Sequence, residues 1–191
     1  MPLMNTPATP GWWLHVGREH SVTYRRVPPI PLTPLIGREV ELVELADLLE
    51  TERVVTLTGS GGCGKTRLAG EVAGRVLRRF PGGVIWVDLA SCTEHDDVLA
   101  TIIDLLDIVE SPGEAGMDSI VRLLLGRPPM LLVLDNAEHV LAATSEFVAA
   151  VVRRVPQASV LSTSREPIGV AGEMVWRVPS LATPPTDLVE L

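Results

Sequence analysis

The run Gly59 to Thr66, "GSGGCGKT", constrains this chain more than any other feature. It meets the spacing G-x-x-x-x-G-K-T at every fixed position. It falls between a β-branched apolar run, "RVVTLTG", and a helical pattern, "KTRLAGEVAGRVLRRF", in which Leu68, Val72, Val76 and Phe80 share a face. Strand, glycine loop and helix in that order make a seat for phosphate. The glycines let the backbone curl with its N–H groups inward, and the following helix adds the positive end of its dipole. The expected cradle is Gly59, Ser60, Gly61, Gly62, Cys63, Gly64, Lys65, Thr66 and Arg67. Within it Lys65 is a point charge for the β- and γ-phosphates of a nucleotide, and the Thr66 hydroxyl is offered to Mg²⁺. Cys63 stands at a variable loop position and reads as a small filler.

The same alternation continues on both sides of the loop. "IGREVELVELADLLE" places Leu42, Leu45, Leu48 and Leu49 at helical spacing, and "GGVIWVDLA", "PPMLLVLDN", "ASVLSTSR" and "EMVWRV" read as four more strands. Between them "DDVLATIIDLLDI", "MDSIVRLLLG" and "EHVLAATSEFVAAVVRRV" read as helices. Strands that are apolar throughout, rather than alternating, predict a parallel sheet covered on both faces. The expected fold is an α/β three-layer sandwich of the P-loop NTPase kind, five parallel strands in the order 5-1-4-3-2. It should occupy residues 35–180, after a Pro-rich linker or arm at 1–34 and before a tail at 181–191.

Two further positions face the expected phosphate edge. "MLLVLD" carries Asp135 out at the carboxyl end of a strand, where it can hold Mg²⁺ directly or through water. "STSRE" places Arg165 at the end of the next strand, where a guanidinium suits a γ-phosphate. After Asp135, where many ATPases of this fold carry a second acid, stands Asn136. An amide orients water but is a poor base, so slow turnover is expected. Glu138 and His139 are the alternatives within reach of the same water, and each also reads as an ordinary turn residue.

Composition narrows the partners. The formal charge of −8 disfavours direct binding to the phosphate backbone of DNA. Two cysteines provide neither a disulfide framework nor metal-ligand spacing. The Pro-rich start lacks a signal-peptide pattern, no run reaches the length of a membrane span, and the cytoplasm is the expected location.

Taken in order, "IGREVEL", "VVTLTGSGGCGKTRLA", "GGVIWVDLA", "LLVLDNAEH" and "STSREPIGV" resemble the nucleotide-binding domain of STAND-class signalling ATPases in its NB-ARC-like branch, across about residues 34–180. Such domains are common in large bacterial transcriptional regulators. The resemblance implies an ATP/ADP switch with Mg²⁺. It implies that Ile36, Gly37 and Arg38 lie against adenine, and that Arg165 senses the γ-phosphate. It also implies later helical and winged-helix subdomains, which this sequence does not include, so an isolated or truncated nucleotide-binding domain is expected, with protein partners or fused domains as its outputs. The competing readings are an AAA+-like ATPase working on a macromolecule and an adapter fragment without useful nucleotide binding.

Overall fold

The computed structural model describes residues 35–110 and 113–179; the Pro-rich arm and the tail of the sequence reading lie outside the described residues. Five strands form one parallel sheet: β1 Val54–Thr58, β2 Val84–Asp88, β3 Met130–Asp135, β4 Ala158–Ser164 and β5 Glu173–Arg177. Their order is β2-β3-β4-β1-β5, the expected order seen from the opposite edge. The helices are α1 Glu39–Thr51, α2 Lys65–Val76, α3 His95–Leu105, α4 Gly116–Leu125 and α5 Leu141–Arg154.

Alternation along the strands divides the core in two. Val54, Ile85, Val87, Leu132, Leu134 and Val160 face α3, α4 and α5, whose Ile102, Ile120, Leu124, Phe147 and Val151 cover them. The neighbouring residues Val55, Leu57, Trp86, Leu131, Val133 and Leu161 face α1 and α2, where Leu45, Leu49, Leu68 and Val72 close the other side. With both faces covered, the strands must be apolar throughout, and β1 and β3 are buried at every position. Each fully buried Leu or Val contributes about 1.5–3 kcal/mol against the unfolded chain. The sheet therefore supplies a rigid base for whatever its carboxyl edge carries.

Two local features differ from the sequence reading. Helix α3 begins at His95, one residue before the Asp pair, because Glu94 and Asp97 form a reciprocal capping box. The helix expected from Glu138 instead breaks at Val140, which is buried with φ −133° and ψ 40°. A single 3₁₀ turn, Ala137–His139, precedes that break, and α5 starts at Leu141.

At the far end of the sheet Arg53 ties the start of β1 to the α5–β4 connection. Its guanidinium donates to the carbonyls of Val152, Val155 and Ala158 at 2.8–3.3 Å. The opposite, carboxyl edge is left to β1, β3 and β4 and the loops that follow them.

Candidate nucleotide site

The loop after β1 follows from its glycines. Gly62 and Gly64 have φ of +78° and +93°, a region that L side chains rarely adopt, and the turn they make delivers the chain directly into α2. Helix α2 has no side-chain cap at its N-terminus and no acid in its first turn, which reads Lys65-Thr66-Arg67. In α3, by contrast, the same end is closed by carboxylates. An uncapped, positively charged helix start behind a glycine loop attracts an anion. Lys65 is buried, and its Nζ donates to the carbonyls of Gly59 at 2.9 Å and Ser60 at 3.0 Å, so the ammonium is held over the loop.

β3 brings Asp135 to the same place. Its side chain is 2% exposed, and Oδ1 accepts from Thr66 Oγ1 at 2.9 Å and Thr163 Oγ1 at 2.5 Å. Asn136 Nδ2 lies 3.3 Å from Oδ2. Burial raises the Asp135 pKa above the usual carboxylate range, the two threonine hydrogen bonds pull it down, and the charges of Asp88 and Glu138 push it up again. A buried carboxylate touching the hydroxyl that ends the phosphate loop is a hard oxygen pair suited to Mg²⁺. Among the described residues no cluster of three or more His, Cys, Asp or Glu side chains could hold a metal by itself.

The remaining candidates fall around this centre. Arg165, 61% exposed, lies 3.4 Å through Nε from Glu138 Oε1. Its Nη2 is 3.7 Å from where a Cβ on Gly61 would stand, so the guanidinium lies over the loop. Glu138 is mostly buried, and its Oε2 takes no hydrogen bond. His139 is exposed on the 3₁₀ turn. Asn136 has left-handed backbone geometry, φ 62°, with its N–H on Thr163 Oγ1 at 3.0 Å.

The "IGR" segment is divided. Ile36 is 77% exposed and Gly37 is exposed, whereas Arg38 is buried and committed to Glu41 Oε1 and the Pro179 carbonyl, each at 2.7 Å. Arg38 thereby anchors the start of α1 to the chain leaving β5. A cleft of about 450 Å³ opens beside that anchor, lined by Gly59, Ser60, Cys63, Arg177, Val178 and Pro179. Cys63 Sγ fills the space where a Cβ on Gly59 would stand, 2.9 Å away, so the filler holds the loop in shape.

The sequence reading did not single out two polar residues of the site. Thr163 bonds both Asp135 and the Asn136 amide. Asp88, at the end of β2 and in register with Asp135, accepts from Asn136 Nδ2 at 3.1 Å. "VIWVD" carried the same signal as "MLLVLD", an apolar strand ending in an acid.

A parallel sheet ordered β2-β3-β4-β1-β5, a glycine loop from β1 into α2 and an acid at the end of β3 define a P-loop NTPase domain. Within that class the chain belongs to the NB-ARC domain family, whose model matches residues 39–180. An uncharacterized protein of Mycobacterium tuberculosis is 38% identical over 160 residues, covering 84% of this chain and 40% of the relative. A second protein of that organism, named as an HTH-type transcriptional regulator, is 46% identical over 135 residues, covering 71% of this chain and 15% of the relative. The chain thus spans less than half the length of either. Among solved structures, a STAND protein with a tetratricopeptide repeat sensor from Pyrococcus horikoshii superposes with a TM-score of 0.55 at 18% identity, over 80% of this chain and 24% of that one. Cdc6p from Pyrobaculum aerophilum gives 0.57 at 18%, over 76% and 46%. Both share the fold.

Proposed function

We propose that this domain is the ATP/ADP-binding switch of a STAND-type signalling or transcriptional regulator and that it hydrolyses ATP slowly. The observation that carries this reading is the contact between Thr66 Oγ1 and Asp135 Oδ1, 2.9 Å, directly behind an uncapped helix start. It joins the residue that closes the phosphate loop to the acid from the neighbouring part of the sheet. Thr66 and Asp135 would hold Mg²⁺, whose charge offsets that on the β- and γ-phosphate oxygens. Lys65 exchanges its loop carbonyls for phosphate oxygens, and the amides of Gly61 to Thr66 donate to the remaining phosphate oxygens. The cleft bounded by Gly59, Val178 and Pro179 adjoins the loop and suits the nucleoside, with Arg38 fixing its β5 side.

Arg165 is the group that distinguishes tri- from diphosphate. It already lies over Gly61, and its ion pair among the described residues, to Glu138, is long, with the guanidinium mostly in solvent. A γ-phosphate competes well against such a partner. Glu138 is held to Arg165 through Oε1 and Asn136 is not a base, which together favour a timer over a motor.

The regulator name of the M. tuberculosis relative supports a signalling output. With a net charge of −8 the domain acts through protein partners or fused domains and leaves DNA contact to others. No helix among the described residues is long and apolar enough to cross a membrane, and a cytoplasmic setting suits such a regulator. The test is phosphate release from ATP and Mg²⁺ by the purified chain. Turnover far below one per second with saturable binding is expected; rapid release without a partner would contradict the switch.

A further inference from the structure

We propose that Asp88 is a positioning residue for ATP hydrolysis and that it acts through Asn136; this deepens the switch reading above and rests on it. The ends of β2 and β3 are locked in register, Asp88 opposite Asp135, with Leu89 N donating to the Asp135 carbonyl at 2.9 Å. Asp88 is exposed at that edge, and its Oδ1 accepts from Ala90 N at 3.0 Å and from Asn136 Nδ2 at 3.1 Å. The other acceptor beside the same amide nitrogen is Asp135 Oδ2, at 3.3 Å. The amide nitrogen of Asn136 therefore has a carboxylate oxygen on each of these two contacts.

This arrangement decides what Asn136 can offer. A carboxylate only accepts, so the NH₂ half of the amide must face the two acids, and the flipped orientation would set an oxygen against two negative charges. The amide oxygen, an acceptor, is left for a water. Asn136 cannot escape by moving its backbone, because its N–H is held by the buried Thr163 hydroxyl and its φ is already 62°. Accepting a hydrogen bond from the water orients that water's lone pair, which is all an amide can do for hydrolysis. Without Asp88 only the longer contact to Asp135 remains, and the side chain can rotate and present a donor instead.

In the step itself the water oxygen bonds to the γ-phosphorus as the bond from that phosphorus to the bridging oxygen breaks. The electron pair stays on ADP, and the water's proton leaves to a phosphate oxygen or to solvent. Asp88 takes no proton in this scheme. Its effect is on orientation, where a displacement of about 1 Å costs on the order of 10²-fold in rate.

The test uses the full chain, with titration of ATP and Mg²⁺ for affinity and single-turnover phosphate release for rate. Asp88→Ala is expected to slow turnover about 10- to 100-fold at saturating ATP and Mg²⁺, a loss in rate and not in nucleotide affinity. Asp88→Asn should restore most of the rate, because its carbonyl oxygen accepts the same amide proton. The Asp88→Ala/Asn136→Ala double variant should be no slower than Asn136→Ala alone. The proposal is overturned if Asp88→Asn is as slow as Asp88→Ala, which would tie the rate to the carboxylate's charge instead of its hydrogen bond to Asn136. It is equally overturned if the two losses multiply, if Asp88→Ala turns over normally, or if the wild-type chain binds ATP and releases no phosphate. Failure of the wild-type chain to bind ATP and Mg²⁺ would instead remove the switch reading, and the proposal with it, on the titration alone.

Discussion

Asp135→Asn keeps the shape of the site and removes its central charge. In the metal-free protein the carboxylate is 2% exposed and holds contacts from Thr66, Thr163 and Asn136, while Asp88 and Glu138 add like charge nearby. Burial is the largest effect and raises its pKa. In the interval between the ordinary carboxylate value and the raised one, the folded chain keeps a proton that the unfolded chain has lost. Stability from this group is therefore full at low pH and declines as pH rises through the raised value. Above it the protein bears the whole cost of a buried anion. Three hydrogen bonds offset most of that cost, and in the variant the new amide meets Asn136 Nδ2 donor to donor, so the net gain is about 1 kcal/mol. For a domain of this size that is a melting temperature about 2–4 °C higher in EDTA at a pH above the raised value. Calorimetry at successively lower pH should show the advantage shrink as pH falls through the raised value. With ATP and Mg²⁺ the order should reverse, because only the wild type gains metal coordination. A variant that melts below wild type in EDTA, by a gap independent of pH, would refute the claim that Asp135 is destabilising until it meets a cation.

Lys65→Ala removes two charge-assisted bonds to the Gly59 and Ser60 carbonyls in a partly solvated loop. A loss of about 1–2 kcal/mol is expected on chemical denaturation, together with a large loss of affinity for both ATP and ADP. Arg165→Ala should leave stability unchanged and weaken ATP about tenfold while sparing ADP, read by competition titration. Arg53→Ala strips donors from three carbonyls at the opposite end of the sheet. It should destabilise by about 2–3 kcal/mol on denaturation with nucleotide affinity intact.

The glycine loop and Asp135 were legible because each follows from local pattern: a strand, then a loop or an acid at its end. Asp88 ends a strand in the same way, yet its meaning depends on β2 and β3 being neighbours and in register, which the expected strand order contained but local pattern does not display. Thr163 was harder. A hydroxyl inside an apolar strand reads as interior, and only the position of β4 beside β3 turns it toward Asp135. Arg38 pairs with the Pro179 carbonyl across 141 residues of sequence, a contact that no periodicity announces. The break before α5 escaped for another reason: Val140 fits a helical pattern by polarity, but the left-handed turn at Asn136 and the burial of Val140 prevent the helix from starting earlier.

Isothermal titration of the intact chain with ATP and with ADP, each with and without Mg²⁺, addresses the phosphate seat most directly. Saturable binding of both nucleotides is expected, with Mg²⁺ tightening ATP and with the effect abolished in Asp135→Asn. Heat of dilution alone for either nucleotide at millimolar concentration, in a chain shown to be folded, would contradict it.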